Sequence, residues 1–514
     1  MELKAAITDF SSMDLRENLK SVPWYHLLSL TIFYCGVKGV YNVYWHPLSH
    51  IPGPPLFALS RIPYAYCHVN GKLATTFHAL HKKYGPVVRT APNELSFIEP
   101  EALTKIHAER KKFCPVFRKN YDTFNETDNQ ISNSVFLAGH EDHARMRKVI
   151  NPAFSDRALR DQEPRMQHLV QKLILHLDEQ SKKGGATDLN RWYNYIAFDV
   201  IADITFGEPF NTLEDATYQP WINLIGKTWK AITLASAIKS VAPPLHMIRK
   251  MLPTAWILQK EVNKFNLVLN RVKEKIAIGA TDQKDLLSLV IKSNCAKEKT
   301  EGEKLATEEI ISNNTLFVAA GTETVTTLLS SLTYLLTRHP QIMDRLVKEI
   351  RGSFQDEASM TIDSLAKMDY LYACIREALR LFPPIPEGLP RVVPSEGENI
   401  SGYKIPGGTF VQVSTFAAVR SKTNFVEPDS FIPERWLKKD PRYLGDKLEV
   451  SQPFSVGPRN CVGQNIGLAE MRLVMARVLW RFDLQCPLKG EWMDQPSYLL
   501  WEKKPLPIEL LSVR

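Results

Sequence analysis

Apolar residues recur at helical spacing along most of the chain, and the longest such run begins at Thr307. Thr307 is the expected N-cap, with Glu308 and Glu309 in the first turn, where carboxylates suit the helix dipole. Phe317, Val318, Val325, Leu328, Leu332 and Leu335 carry the apolar face onward until Pro340 stops it. A helix over 308–339 would be about 48 Å long, enough to cross a whole domain. In its middle, Ala319, Ala320, Gly321, Thr322, Glu323 and Thr324 put small and polar residues where a core helix carries large apolar ones. Two explanations compete there. Either a second helix packs closely at Gly321 while Glu323 meets solvent, or the helix is thinned to pass a ligand, with a hydroxyl and a carboxylate aimed at it.

A further helix, Ser364 to Phe382, carries Glu377 and Arg380 one turn apart and ends at Pro383, so the two can form an ion pair. The stretch PPIPEGLPRVVP, 383–394, is too proline-rich for a helix or a central strand and is expected to wind irregularly with Arg391 projecting. Strand-like pieces such as Thr409 to Ser414 add a smaller β component to a mainly α chain.

The N-terminal pattern differs. From Trp24 to Val37 the chain reads WYHLLSLTIFYCGV without a charge; Lys38 interrupts it, and apolar or aromatic residues continue to Trp45. That is roughly the 20-residue length of a bilayer-spanning helix, so 24–45 is assigned as a transmembrane anchor after a short N-terminal segment, 1–23. A buried or interfacial helix is the alternative, and no cleavable signal is evident. HPLSHIPGPP, 46–55, then forms a proline-rich hinge, expected to be stiff and extended, and 56–514 comes after it as one large unit. The loop-like AKEKTEGEK, 296–304, is its most solvated connection.

Composition narrows the class. With 44% apolar and 23% charged residues, the 514-residue chain is neither disordered nor fibrous. A net charge of +8, without an arginine-rich tract, fits a basic docking face or a membrane surface better than a nucleic-acid binder. Seven cysteines, with no CxxC pair, indicate neither a disulfide framework nor a structural zinc site.

One cysteine is singled out by its neighbours. In PFSVGPRNCVGQNIGLAEM, 453–471, Phe454, Gly457, Arg459, Cys461 and Gly463 form FxxGxRxCxG. Five such fixed positions arise by chance with odds on the order of one in ten thousand or less. Cys461 precedes an apolar helical run, so amides at the helix start can stabilise its thiolate. Gly457 and Gly463 allow a tight turn and close approach of a flat cofactor. Arg459 can meet a carboxylate, and Phe454 can shield the sulfur. A protected thiolate of this kind suits a haem iron that cleaves O–O bonds.

With HARMR at 143–147, AGTET at 320–324, EALR at 377–380, PERW at 433–436 and the Cys461 loop in order, the chain resembles the cytochrome P450 family over nearly its whole length. Glu377 precedes Cys461 by 461 − 377 = 84 positions, a spacing typical of that family. The resemblance implies a single haem-thiolate domain, with heme b ligated by Cys461. It implies Arg459, Arg391, His143 and Arg147 at the propionates, with His143 where relatives often have tryptophan. It implies a buried triad of Glu377, Arg380 and Arg435, and a proton relay through Thr324 and Glu323. Val419 and Ser421 depart from the histidine and aspartate that relatives often show around Arg420.

The implied reaction inserts one oxygen atom of O2 into an apolar small molecule. Electrons would come from NADPH through a flavoprotein reductase, with cytochrome b5 as a second candidate donor. The implied setting is the endoplasmic reticulum membrane, single-pass and facing the cytosol. By family position the substrate would meet the Phe113–Phe136 loop, Phe317–Ala320 and Ile385–Leu389. The hinge and layout look similar to fungal enzymes that decorate terpenoids, polyketides or alkaloids. The alternative within the resemblance is a haem-thiolate isomerase, dehydratase or oxidative coupling enzyme.

Overall fold

The computed structural model describes residues 24–108, 116–119, 134–215, 219–241, 266–279, 284–295 and 300–514. The segment 1–23 and most of the Phe113–Phe136 loop lie outside the described residues.

A helix does form at the N-terminal apolar run, α1 (Trp24–Tyr44), and it leaves Leu30, Ile32, Phe33 and Tyr34 exposed. Among the described residues, however, no helix is long and apolar enough to cross a membrane. The proline-rich stretch after it is no extended spacer. Leu48 and Ile51 are buried in the sheet core, and Pro52 O accepts the Arg89 amide at 2.8 Å. Prolines there stop the helix but also preset turns, and two apolar side chains between them fold the segment onto the body. Asn42 Nδ2 donates to Leu59 O (3.1 Å), and Arg89 Nη1 donates to Asn42 O (2.9 Å), so the end of α1 is fastened to the body of the protein. The short helices α2 (Pro55–Leu59) and α3 (Ile62–Val69) come next, then α4 (Leu73–Tyr84).

A five-stranded sheet runs in the order β1 (Val87–Ala91), β2 (Glu94–Phe97), β5 (Phe410–Val413), β4 (Arg391–Val392), β3 (Arg118–Lys119). The β2–β5 pairing is parallel and the others antiparallel. It gathers one core of Val87, Leu95, Phe117, Val393 and Val411. The expected irregular stretch before Arg391 is present, but Arg391 itself pairs in register with Lys119 and Val411 and is buried rather than projecting.

The larger core is helical. α5 (His140–Ile150) leads to α6 (Asp156–Lys183), which Ser155 Oγ caps by accepting the Ala158 amide at 3.3 Å. α7 (Leu189–Phe206) is buried on nearly every side, including its polar Asn194, Asp199 and Asp203, and Gly207 ends it in the left-handed region at φ 80°. α8 (Gln219–Val241) comes after it. The central helix is α9 (Thr307–Arg338). Its N-cap is Ala306, not Thr307, because the Glu309 carboxylate accepts the Ala306 amide at 2.9 Å. Gly321 meets α7 there: a Cβ would fall 2.7 Å from the Ile201 side chain. α10 (Asp369–Leu381) begins later than expected, since Thr361 caps a separate turn at Ile362–Leu365. α11 (Gln464–Arg481) packs against α6 and α9, and a hairpin of β6 (Ser497–Tyr498) and β7 (Leu500–Trp501) closes over α9.

Glu377 joins α10 to the segment leading to the Cys461 loop. Its oxygens accept from Arg380 Nη2 (2.7 Å) and Nε (2.8 Å), Arg435 Nε (3.0 Å), the Ile432 amide (3.0 Å) and Trp436 Nε1 (2.9 Å). All three charged side chains are fully buried. Burial pushes the Glu377 carboxyl up, but the two arginines and the Ile432 amide outweigh it and hold the group below its ordinary value. Arg380 also donates to Val419 O (2.7 Å), which a backbone oxygen provides whatever the side chain at 419. Arg420 finds Asp429 at 2.7 Å.

This packing gives two measurable outcomes. Glu377→Gln leaves two buried arginines facing a neutral amide and should cost about 3–5 kcal/mol, read from the urea midpoint; a loss below about 1 kcal/mol would contradict it. His81 is buried on α4, with Nδ1 on Gly85 O (2.9 Å) and Nε2 on Ser96 Oγ (2.8 Å), a set that satisfies the neutral ring. Burial pushes it from the ordinary 6.5 down to about 4, with Gly85 O opposing and His78 assisting. The unfolded chain therefore takes up a proton that the folded chain refuses, and stability falls as pH drops through that interval, by up to about 1.4 kcal/mol per unit. His81→Gln should flatten this acid limb; parallel profiles of unfolding free energy against pH would show that His81 is not its source.

Candidate functional site

The Cys461 loop meets the start of α5 through Arg459, which also acts on Lys119 of the β3–β4 edge. Cys461 lies just before α11. Its amide donates to Phe454 O at 2.8 Å, which ties the loop across its base, and the Phe454 ring packs half-buried against the helical core. Gly463 is the N-cap of α11, and its amide hydrogen-bonds to the Cys461 sulfur. Cys461 is crowded by protein yet reachable from outside, as a sulfur at the mouth of a concave cradle would be. Burial pushes its thiol up, while the Gly463 amide and Arg147 pull it down. The helix-start amide expected to favour a thiolate is therefore present.

Gly457 makes the expected tight turn, with a φ of +76°, and it also admits a close backbone neighbour, since a Cβ would fall 2.1 Å from His107 O. Around Gly463 a Cβ would meet only Phe154, at 3.9 Å, so that position leaves open space.

The four expected cations take distinct places. Arg459 Nη2 donates to Ala138 O (2.8 Å) and Gly139 O (3.1 Å) at the start of α5. Arg147 Nη1 and Nη2 donate to Asn460 O (2.9 Å) and Asn460 Oδ1 (3.1 Å), holding the residue next to Cys461. Arg391 Nη1 donates to Leu389 O (3.3 Å) and Pro390 O (3.1 Å). His143 is buried and, by burial first and then Arg459, Arg147 and Lys119, pushed down to about 3.

Lys119 and His107 were not foreseen. Lys119 on β3 is buried, donates to Phe136 O and lies 3.7 Å from the Phe136 ring centroid. Burial, then Arg391 and Arg459, push it well below its ordinary value; burial, Arg391 and Lys119 do the same to His107. A basic residue inside the aromatic loop from 113 to 136 was the only available signal. The charged groups that perturb Lys119, His107 and His143 are all basic, and one of them, Arg147, also acts on the Cys461 sulfur, so the described residues gather positive charge on this side of the Cys461 loop.

On α9 both competing explanations hold in part. Gly321 is a packing glycine, but Ala320 is exposed and Thr324 half-exposed on a helix otherwise buried along most of its length. Ala320 and Thr324 share one face, and Thr324 Oγ1 donates to Ala320 O at 2.8 Å. Phe317, expected at a substrate, is buried edge-on to Phe154 with centroids 5.1 Å apart. Glu323 is neither in solvent nor turned to the open face; it is buried and ion-paired with Lys503. An accessible sulfur, a cationic cluster able to face two carboxylates, and a thinned helix stripe fit a flat, dianionic macrocycle held by a thiolate.

The profile of the family described as Cytochrome P450 matches residues 52–510. A cytochrome P450 monooxygenase of Stereocaulon alpinum is 41% identical over 489 residues, covering 94% of each chain. One of Purpureocillium lilacinum is 42% identical over 492 residues, covering 95% of this chain and 93% of its own. The averantin hydroxylase of Dothistroma septosporum is 39% identical over 476 residues, covering 92% and 88%.

If Lys119 helps to hold a dianionic cofactor, Lys119→Gln should release haem to a scavenging apoprotein at least about tenfold faster, the equivalent of about 1.4 kcal/mol. An unchanged release rate would remove Lys119 from the site.

Proposed function

The chain belongs to the cytochrome P450 family, and on that premise we propose a substrate, a set of residue roles and a membrane setting for it. It is a haem-thiolate monooxygenase of the kind found in fungal secondary metabolism, an oxidoreductase supplied with electrons by a redox partner. The observation carrying the site assignment is the Cys461 sulfur under the Gly463 amide, beside the basic cluster.

In this reading Cys461 is the axial ligand of heme b. Arg147 and the Gly463 amide favour its thiolate, and Phe454 keeps water from the loop. Lys119, Arg391 and Arg459 meet the propionates, with neutral His143 among them. When bound, the haem supplies the reductive activation of O2, with the balance R–H + O2 + 2 electrons + 2 H⁺ → R–OH + H2O. Thr324 can turn its hydroxyl from Ala320 O toward the open stripe and pass protons there, with Glu323 as their carboxyl source. Ala319 and Ala320 leave room for an apolar substrate, and Ile385 to Leu389 would line it. A terpenoid, polyketide or alkaloid intermediate is the proposed substrate class, supported by the hydroxylase name of one relative.

Electrons would come from NADPH through a membrane-bound flavoprotein reductase, with cytochrome b5 as a second donor; the net charge of +8 suits an acidic partner. The endoplasmic reticulum membrane, with the catalytic body in the cytosol, is the proposed location. Exposed Leu30, Ile32 and Phe33 on α1, Leu56 on α2, and Ile62 and Tyr66 on α3 support a lipid-facing side.

Cys461→Ala should abolish the thiolate signature of the reduced, carbon-monoxide-bound spectrum and with it NADPH-dependent turnover. In the wild type, one atom of labelled O2 should enter the product. Turnover without label would point to an isomerase or coupling enzyme instead, and turnover retained by Cys461→Ala would sink the ligand assignment.

A further inference from the structure

Glu323 and Thr324 are neighbours in sequence but lie about 100° apart around α9. Thr324 is on the open stripe, whereas Glu323 turns toward the C-terminal hairpin and meets Lys503 Nζ. The pair is nearly dry, with side-chain exposures of 9% for Glu323 and 4% for Lys503. Lys503 also donates to Thr327 Oγ1 at 3.3 Å, one turn along the same helix. Its own position is firm. It lies two residues after Trp501, whose Nε1 donates to Pro383 O (2.8 Å) and whose ring stacks on Phe382 at 4.4 Å. The intervening residue, Glu502, pairs at 2.5 Å with Lys230 on α8. Two successive side chains thus reach two different helices, one of them to the only carboxylate in the thinned part of α9.

Burying an ion pair is a poor way to gain stability, since desolvation offsets most of the attraction. What it does well is fix a charged group in one place. We propose that Lys503 is a positioning residue for proton delivery: it holds the Glu323 carboxylate at the border of the open stripe. There the carboxylate takes up a proton that originates in solvent and passes it on toward Thr324, a step that returns Glu323 to the carboxylate. The inference rests on the monooxygenase reading, in which protons must reach the site in every turnover.

The test needs no identified substrate. Full-length enzyme in membranes with its reductase consumes NADPH by two routes: O2 + NADPH + H⁺ → H2O2 + NADP⁺, or O2 + 2 NADPH + 2 H⁺ → 2 H2O + 2 NADP⁺. Slower proton delivery favours the first. Lys503→Met should at least double the peroxide released per NADPH and raise the solvent deuterium isotope effect, with a normal carbon-monoxide spectrum. Lys503→Arg should restore both. In a Glu323→Gln background, Lys503→Met should add nothing, because Lys503 acts only through that carboxylate. If Lys503→Met does not load haem, Lys503→Gln, which still donates a hydrogen bond, replaces it with the same expected changes. Unchanged peroxide yield and isotope effect, or equal changes in both backgrounds, would overturn the proposal. A wild type that consumes no NADPH would instead count against the monooxygenase reading.

Discussion

Glu377 keeps a negative charge in a place water does not reach, and much of the molecule is arranged to make that tolerable. A buried carboxylate is stable only if several donors converge on it at once, and here they come from three directions. Arg380 arrives from the same helix and Arg435 from a short turn far along the chain. Each arginine then requires acceptors of its own, which it finds on Val419, Pro428 and Ser430 or on Val426 and Asp446. The stretch from 419 to 446 therefore has one acceptable arrangement against α10. The Cys461 loop starts a few residues later and inherits its position from that arrangement.

The basic cluster is the converse case. Around Glu377 opposite charges are matched; Lys119, His107 and His143 are held low by burial first and by basic neighbours second. Such a grouping is unfavourable alone and becomes favourable when an anion enters, so binding energy is built into the fold before the cofactor arrives. The cluster draws on the sheet edge, α5 and the Cys461 loop, which means that the two cores must be docked for it to exist.

Much of this was legible from sequence because it is written locally. The span of α9, the small residues in its middle, the FxxGxRxCxG loop and the one-turn spacing of Glu377 and Arg380 are all short-range patterns. What escaped is long-range. Lys503 lies 180 positions from Glu323, and nothing in either neighbourhood announces the other. Lys119 became a member of the site only through a two-residue strand pairing with Arg391. Gly457 was legible as a turn residue, but the backbone of His107 that also forbids a side chain there is more than three hundred residues away. The hinge misled for a related cause: prolines give stiffness, but Leu48 and Ile51 between them give a reason to fold inward.

The attachment of α1 has mechanical meaning. Asn42 bridges the last turn of that helix to Leu59 on one side and to Arg89 of β1 on the other, and Pro52 clasps the same strand a few residues later. The helix thus behaves as a mast bolted to a hull rather than as a mooring line. Its last turn shares hydrogen bonds with the strand that opens the five-stranded sheet, so α1 and that sheet are joined at one corner of the body.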